Sequence, residues 1–231
     1  MYIELALLFG VFIALAHFFS EKFLDVIEEK RKKVMSFVAG ISLTYVFLLL
    51  MPEIYNFGGI LDRYILFLLL VGFAGFHIIE KHIYQHEKKE KLHEQLKLVH
   101  SVTFFFYHFL IGFILLNLMK DNVVVGVMFL IPIFFHSVMS GASLKGIHVS
   151  IRERMMLKIM LSCSTLLGVV IGYVFFVPMF LIDSMLGFVV GAFLYIVIRD
   201  SLPRETKGDA IYFISGLVVY TIIIFFIWNL V

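Results

Sequence analysis

Eight apolar runs divide the chain, at about 2–19, 34–51, 61–80, 101–119, 123–143, 156–176, 184–199 and 210–230. Each is close to the roughly 20 residues that a helix needs to cross the hydrocarbon core of a bilayer. Inside that core only helices and closed barrels satisfy their own backbone polar groups. Composition agrees. Of the 231 residues 61% are hydrophobic and only 16% charged, with 27 Phe. Mean hydropathy is +1.01, whereas a soluble domain is about half apolar. Too little polar surface is left to clothe a water-solvated globule, so the lipid bilayer is the first partner the sequence implies. The opening MYIELALLFGVFIALAHFF has no basic stretch before its apolar run and no small-residue cleavage site after it. It reads as a first membrane helix rather than a removed signal peptide. The single Cys163 excludes an internal disulfide. The expected fold is an all-α polytopic membrane protein of eight transmembrane helices, with residues 1–231 forming one integral-membrane domain.

The charges order those helices. Of the 19 Lys and Arg residues, 17 lie in the first, third, fifth and seventh connections or within three residues of them, and 2 at the others. Such alternation follows the positive-inside rule. It places the odd connections in the cytoplasm and both termini outside it, in a cell or cytoplasmic membrane. The net charge of +2 gives no reason to expect nucleic acid as a partner.

One helix is written twice. FVAGISLTYVFLLLMPE at 37–53 and FVVGAFLYIVIRDSLPRE at 188–205 align Phe37, Gly40, Leu43, Val46 and Pro52 with Phe188, Gly191, Leu194, Val197 and Pro203. The second and seventh helices run in opposite directions, so the match is the trace of an inverted-topology repeat, a plan many transporters use. Helices 1–3 and 6–8 are then the two copies, with helices 4 and 5 between them in a 3+2+3 arrangement. Gly40, Pro52, Gly191 and Pro203 form its scaffold motif. Convergence is the competing explanation, because Gly favours close helix packing and Pro follows many helix ends.

Ionisable residues inside membrane spans are expensive and usually face the bundle or an aqueous path. The well-embedded ones are His17, His108 and His136, with Glu4 shallower. Helices 4 and 5 are joined by the short turn NLMKDN and must be antiparallel. His108 precedes the turn by roughly 12 residues and His136 follows it by roughly 14, or about 18 and 21 Å at 1.5 Å per residue. The two therefore reach similar depth and can face each other. Neutral imidazole suits zinc, copper, iron and nickel. His108 and His136 are accordingly the candidate metal ligands, with Ser137 and Ser140 as secondary polar groups. Tyr107, Thr103 or water could complete the shell. Two plainer readings stay open: hydrogen-bonding histidines that only stiffen the bundle, and a row of small residues that only lets helices approach.

These features together resemble the ZIP (Zrt-, Irt-like) divalent-metal permeases. The resemblance rests on eight helices with outside termini, a His-rich third connection, Gly191, Phe193, Leu194, Tyr195, Leu202 and Pro203 in the seventh helix, Gly40, Leu43, Pro52 and Glu53 in the second, and Ser164, Gly168 and Gly172 in the sixth. It implies transport by alternating access. Where the family's fifth helix carries His-x-x-Pro-Glu-Gly, this chain keeps His136 and Gly141 but has Met139 and Ser140 for the Pro and Glu. In the fourth helix Phe104 and Phe105 stand near the expected His and Asn, and Tyr107 or His108 near the expected acid.

The third connection, HIIEKHIYQHEKKEKLHEQLKLVH, has no Gly or Pro and reads as helix. At 100° per residue His82, His86, His93 and His100 fall within about 40° of one another. His82, His86 and His93 form a candidate cytoplasmic metal patch, the alternative being a solvated basic helix. No Gly-x-Ser-x-Gly, His-Glu-x-x-His or Gly-rich phosphate loop is present, and no enzyme activity is expected. The expected function is ZIP-like transport of a divalent transition metal of the zinc or iron class. The metal, Zn for instance, is transported or sensed rather than held as a permanent cofactor. The alternative is a non-transporting relative acting as metal sensor or partner subunit, and a third reading has an uncharged or monovalent substrate. A homodimer is compatible with all of them.

Overall fold

The structure, a computed structural model, describes residues 2–55, 60–86, 89–140, 151–201 and 208–229. All regular structure among the described residues is helical. Helix α1 spans Tyr2–Val26, and the one-turn helix Glu28–Lys30 leads into α2 at Arg31. The α2 rod runs Arg31–Tyr45, widens into a π turn at Val46–Leu50 and continues through Met51–Ile54. Then follow α3 (Ile60–His86), α4 (Lys89–Asp121), α5 (Val123–Ser140) and α6 (Ile151–Val174). The last two are α7 (Met179–Ile196), which ends in a π turn at Val197–Ser201, and α8 (Ala210–Trp228).

Seven of these helices contain a stretch long and apolar enough to cross a bilayer, and α5 supplies the shorter apolar helix Val123–Val138. Phe12, Phe67, Leu70, Ile222 and Phe226 are among the large apolar side chains turned outward. A soluble protein would bury that coat, whereas lipid solvates it. The chain is an all-helical, polytopic membrane protein. The break between α4 and α5 falls at Asn122, whose side-chain Oδ1 accepts from the Val124 and Val125 N–H groups at 2.9 and 3.4 Å. It caps α5 as a short polar side chain does at a helix start. Asp209 caps α8 in the same way.

The packing directions are those that repeated reversals demand. Residue numbers rise together along α3 and α7, from Tyr64 on Phe180 (ring centroids 5.4 Å) to Glu80 against Tyr195. They rise together along α2 and α8, from the Asp209 N–H donating to Ser36 Oγ at 3.1 Å to Thr44 beside Leu217. Along α4 and α6, Gly112 meets Thr165 and Gly172 meets Phe113 and Leu116. These three pairs are parallel. Helices α1 and α6 are antiparallel, with Gly10 on Leu166 and Glu21 on Lys158.

Two of these interfaces match position by position. A Cβ on Gly40 would strike the Phe213 carbonyl and the Leu217 nitrogen; one on Gly191 would strike the Leu69 carbonyl and the Phe73 nitrogen. Conversely, Gly216 lies on the Phe37 carbonyl and Gly72 on the Phe188 carbonyl. Only glycine permits such approach, because any side chain would drive the two backbones apart. The π turns match too, since Val46 and Val197 each follow the glycine by six residues. In α2 the cause is plain. Pro52 has no N–H and its ring crowds the carbonyl four residues back, and the Met51 N–H donates to Val46 O, a five-residue step. Pro203 holds the equivalent place in sequence but lies outside the described residues.

Candidate functional site

A third proline shapes the site. Pro132 sits inside α5 and cannot donate to the carbonyl of Met128, one turn earlier. Tyr220 of α8 supplies the missing donor, its hydroxyl reaching Met128 O at 2.7 Å. A buried carbonyl left without a partner is costly, so this contact ties α8 to the proline turn of α5. His136 follows one turn beyond Pro132 on the same helix.

His136 and His108, expected at similar depth, lie close together. Their rings stack with centroids 5.8 Å apart and planes 21° from parallel. The structure adds a third imidazole. His17 of α1 lies edge-on to His108, with centroids 4.3 Å apart and its Nε2 3.4 Å from His108 Nδ1. All three are buried, at 2%, 0% and 5% exposure for His17, His108 and His136. Aromatic rings wall them in. Phe104 stacks on His136 at 5.7 Å, Phe193 of α7 meets it edge-on at 5.4 Å, and Tyr107 lies 5.1 Å from His108 and 5.9 Å from His136. The histidines thus sit where α1, α4 and α5 converge, backed by α7.

Two polar atoms of this cluster have capacity to spare. His136 Nε2 and the Tyr107 hydroxyl are buried without a hydrogen-bond partner among the described residues. Buried polar groups normally find partners, so these are groups that an ion, its water or a substrate can engage. The histidines form a file rather than a ring: among the described residues no three His, Cys, Asp or Glu side chains converge as ligands of one ion. Within the file, His17 and His108 make a long hydrogen-bond contact, Nε2 to Nδ1 at 3.4 Å, with the two rings edge-on.

The other expected residues divide. Ser137 is buried and its hydroxyl donates to Ile133 O at 2.7 Å, one turn back on α5. The Ser140 side chain lies outside the described residues, as do those of His86, His93 and His100, and Gly141 and Pro203 entirely. His82 is exposed near the end of α3, with helix continuing on either side of residues 87–88. His17 had been marked only as embedded, and the tertiary contact gives it a place in the cluster. No protein-family model matches the chain, and no curated protein matches it at a significant level.

Proposed function

We propose that the protein is a ZIP-like permease that moves a divalent transition metal, of the zinc or iron class, through a path beginning at His17, His108 and His136. The gathering of three buried imidazoles, His17, His108 and His136, where α1, α4 and α5 converge carries the reading. Neutral imidazole is a good ligand for such ions. The framework is read as two inverted copies, α1–α3 and α6–α8, flanking α4 and α5. The matched glycine contacts of α2 on α8 and α7 on α3, and the matched π turns, support it. In this scheme the matched pairs α2–α8 and α3–α7 hold still while α1, α5 and α4, with α6 held to α4 through Gly112, alter access to the histidines. The orientation read from the lysines and arginines puts both termini outside the cytoplasm and makes the direction inward.

A second reading has its own observation. The lack of three convergent ligands among the described residues suits a relative that keeps the framework and senses metal without passing it. Zinc or cobalt uptake into proteoliposomes separates the two. Transport is expected for the wild type and lost when His17 and His108, or His108 and His136, are changed to Ala. Uptake indifferent to both pairs of changes overturns the permease reading, and metal binding without uptake selects the sensor.

A further inference from the structure

The histidine file does not end at His17. Glu21 lies one helical turn further along α1, on the same face. It is the first acidic residue in α1 after Glu4. Its Oε2 accepts from Lys158 Nζ of α6 at 3.2 Å, with the glutamate 25% and the lysine 15% exposed. Its other oxygen, Oε1, is buried without a hydrogen-bond partner among the described residues. A carboxylate withdrawn from water normally fills its acceptor sites, so Oε1 keeps an open place for a cation or its water.

The helix facing this stretch of α1 adds a polar group. Because α1 and α6 are antiparallel, the contacts Gly10–Leu166 and Glu21–Lys158 bracket His17 at the level of Ser162. The Ser162 hydroxyl is also buried and without a partner among the described residues. A line of polar groups thus leads from His108 through His17 and past Ser162 to Glu21, ending at the ammonium of Lys158. That ammonium has a second seat, since it lies 5.1 Å over the ring of Phe18.

We propose that Glu21 is the acidic ligand at the inner end of the metal path, and that Lys158 is a tethered cation occupying it until an ion arrives. The inference rests on the reading of His17 and His108 as ion ligands. Two neutral imidazoles do not offset a divalent charge in a low dielectric, and Glu21 provides the missing negative charge one turn away. Lys158 holds that charge neutral when no ion is present. On its flexible four-carbon stem the ammonium moves off the carboxylate as the incoming ion takes its place. The exchange keeps a positive partner on Glu21 throughout, and with the ion absent it closes the inner end against other cations.

The test is a Co2+ titration of the full-length protein in detergent, followed by the visible absorption of the bound ion. It compares wild type, K158Q, E21Q/K158Q and H17A/H108A. Removing the competing ammonium is expected to tighten Co2+ binding about tenfold in K158Q. The double variant E21Q/K158Q, which leaves neither charge unpaired and so burdens folding least, is expected to lose that gain. An unchanged affinity in K158Q, or a gain that persists in E21Q/K158Q, overturns the proposal. H17A/H108A binding Co2+ like the wild type instead overturns the reading of the histidines on which it rests, so the two failures are told apart.

Discussion

His17 Nε2 stands 3.4 Å from His108 Nδ1, joining two helices whose residues are 91 positions apart in the chain. In the proposed path both rings serve the same ion, so their losses should not add. Changing either to Ala is expected to weaken Co2+ binding about a hundredfold, at the upper end of the 10–100-fold typical of outer-shell groups, and changing both should cost little more. Isothermal titration of the single and double variants checks this. Binding should also weaken as pH is lowered, because a protonated imidazole has no lone pair to offer a metal.

The hydroxyl of Tyr220 replaces a backbone donor that Pro132 lacks. Tyr220→Phe leaves the Met128 carbonyl buried and unpaired, and is expected to cost about 1–3 kcal/mol. Pro132→Ala restores the N–H. Tyr220→Phe should therefore cost less in the Pro132→Ala background, and thermal unfolding of the four proteins in the cycle measures the difference.

Gly40 and Gly191 hold equivalent contacts against carbonyls of α8 and α3. Valine at either position must push two backbones apart, and a loss of about 1–3 kcal/mol or more is expected for each. Near-equal losses are the outcome that supports the two-copy framework. Strongly unequal ones would count against it. The lone, partly buried Cys163 offers a convenient readout, since a thiol-reactive dye reports its exposure as the helices separate.

At the other end of the α3–α7 interface, Glu80 accepts from the Tyr195 hydroxyl at 2.5 Å and from Arg199 at 2.7 Å through the same oxygen. Glu80→Gln and Tyr195→Phe should be coupled by about 0.5–2 kcal/mol in a double-mutant cycle. Additive effects would mean that the two donors are bound independently. Arg199 lies in the π turn that closes α7, so transport rates of the same variants show whether that turn must release Glu80 in each cycle.

Much of the architecture is written in local chemistry. Apolar runs of bilayer length, Asn122 and Asp209 at helix starts, and Gly and Pro at matching positions are short-range signals, and the helices form where those signals place them. The depth of His108 and His136 was also legible, because a tight turn between antiparallel helices converts residue counts into height. Rotation about each helix axis is another matter. In lipid nearly every face is apolar, so hydrophobic periodicity cannot say which side of α1 turns inward, and His17 could be seen only as embedded. Its contact with His108, the Tyr220 bond to the carbonyl freed by Pro132, and the pairing of Glu21 with Lys158 all join residues more than 90 positions apart. The sequence by itself determined that the chain is a bundle of membrane helices and that His17, His108 and His136 are embedded in it. Only the tertiary structure decided which of those groups meet, because close glycine packing sets the helix rotations and no local pattern in an apolar solvent encodes them.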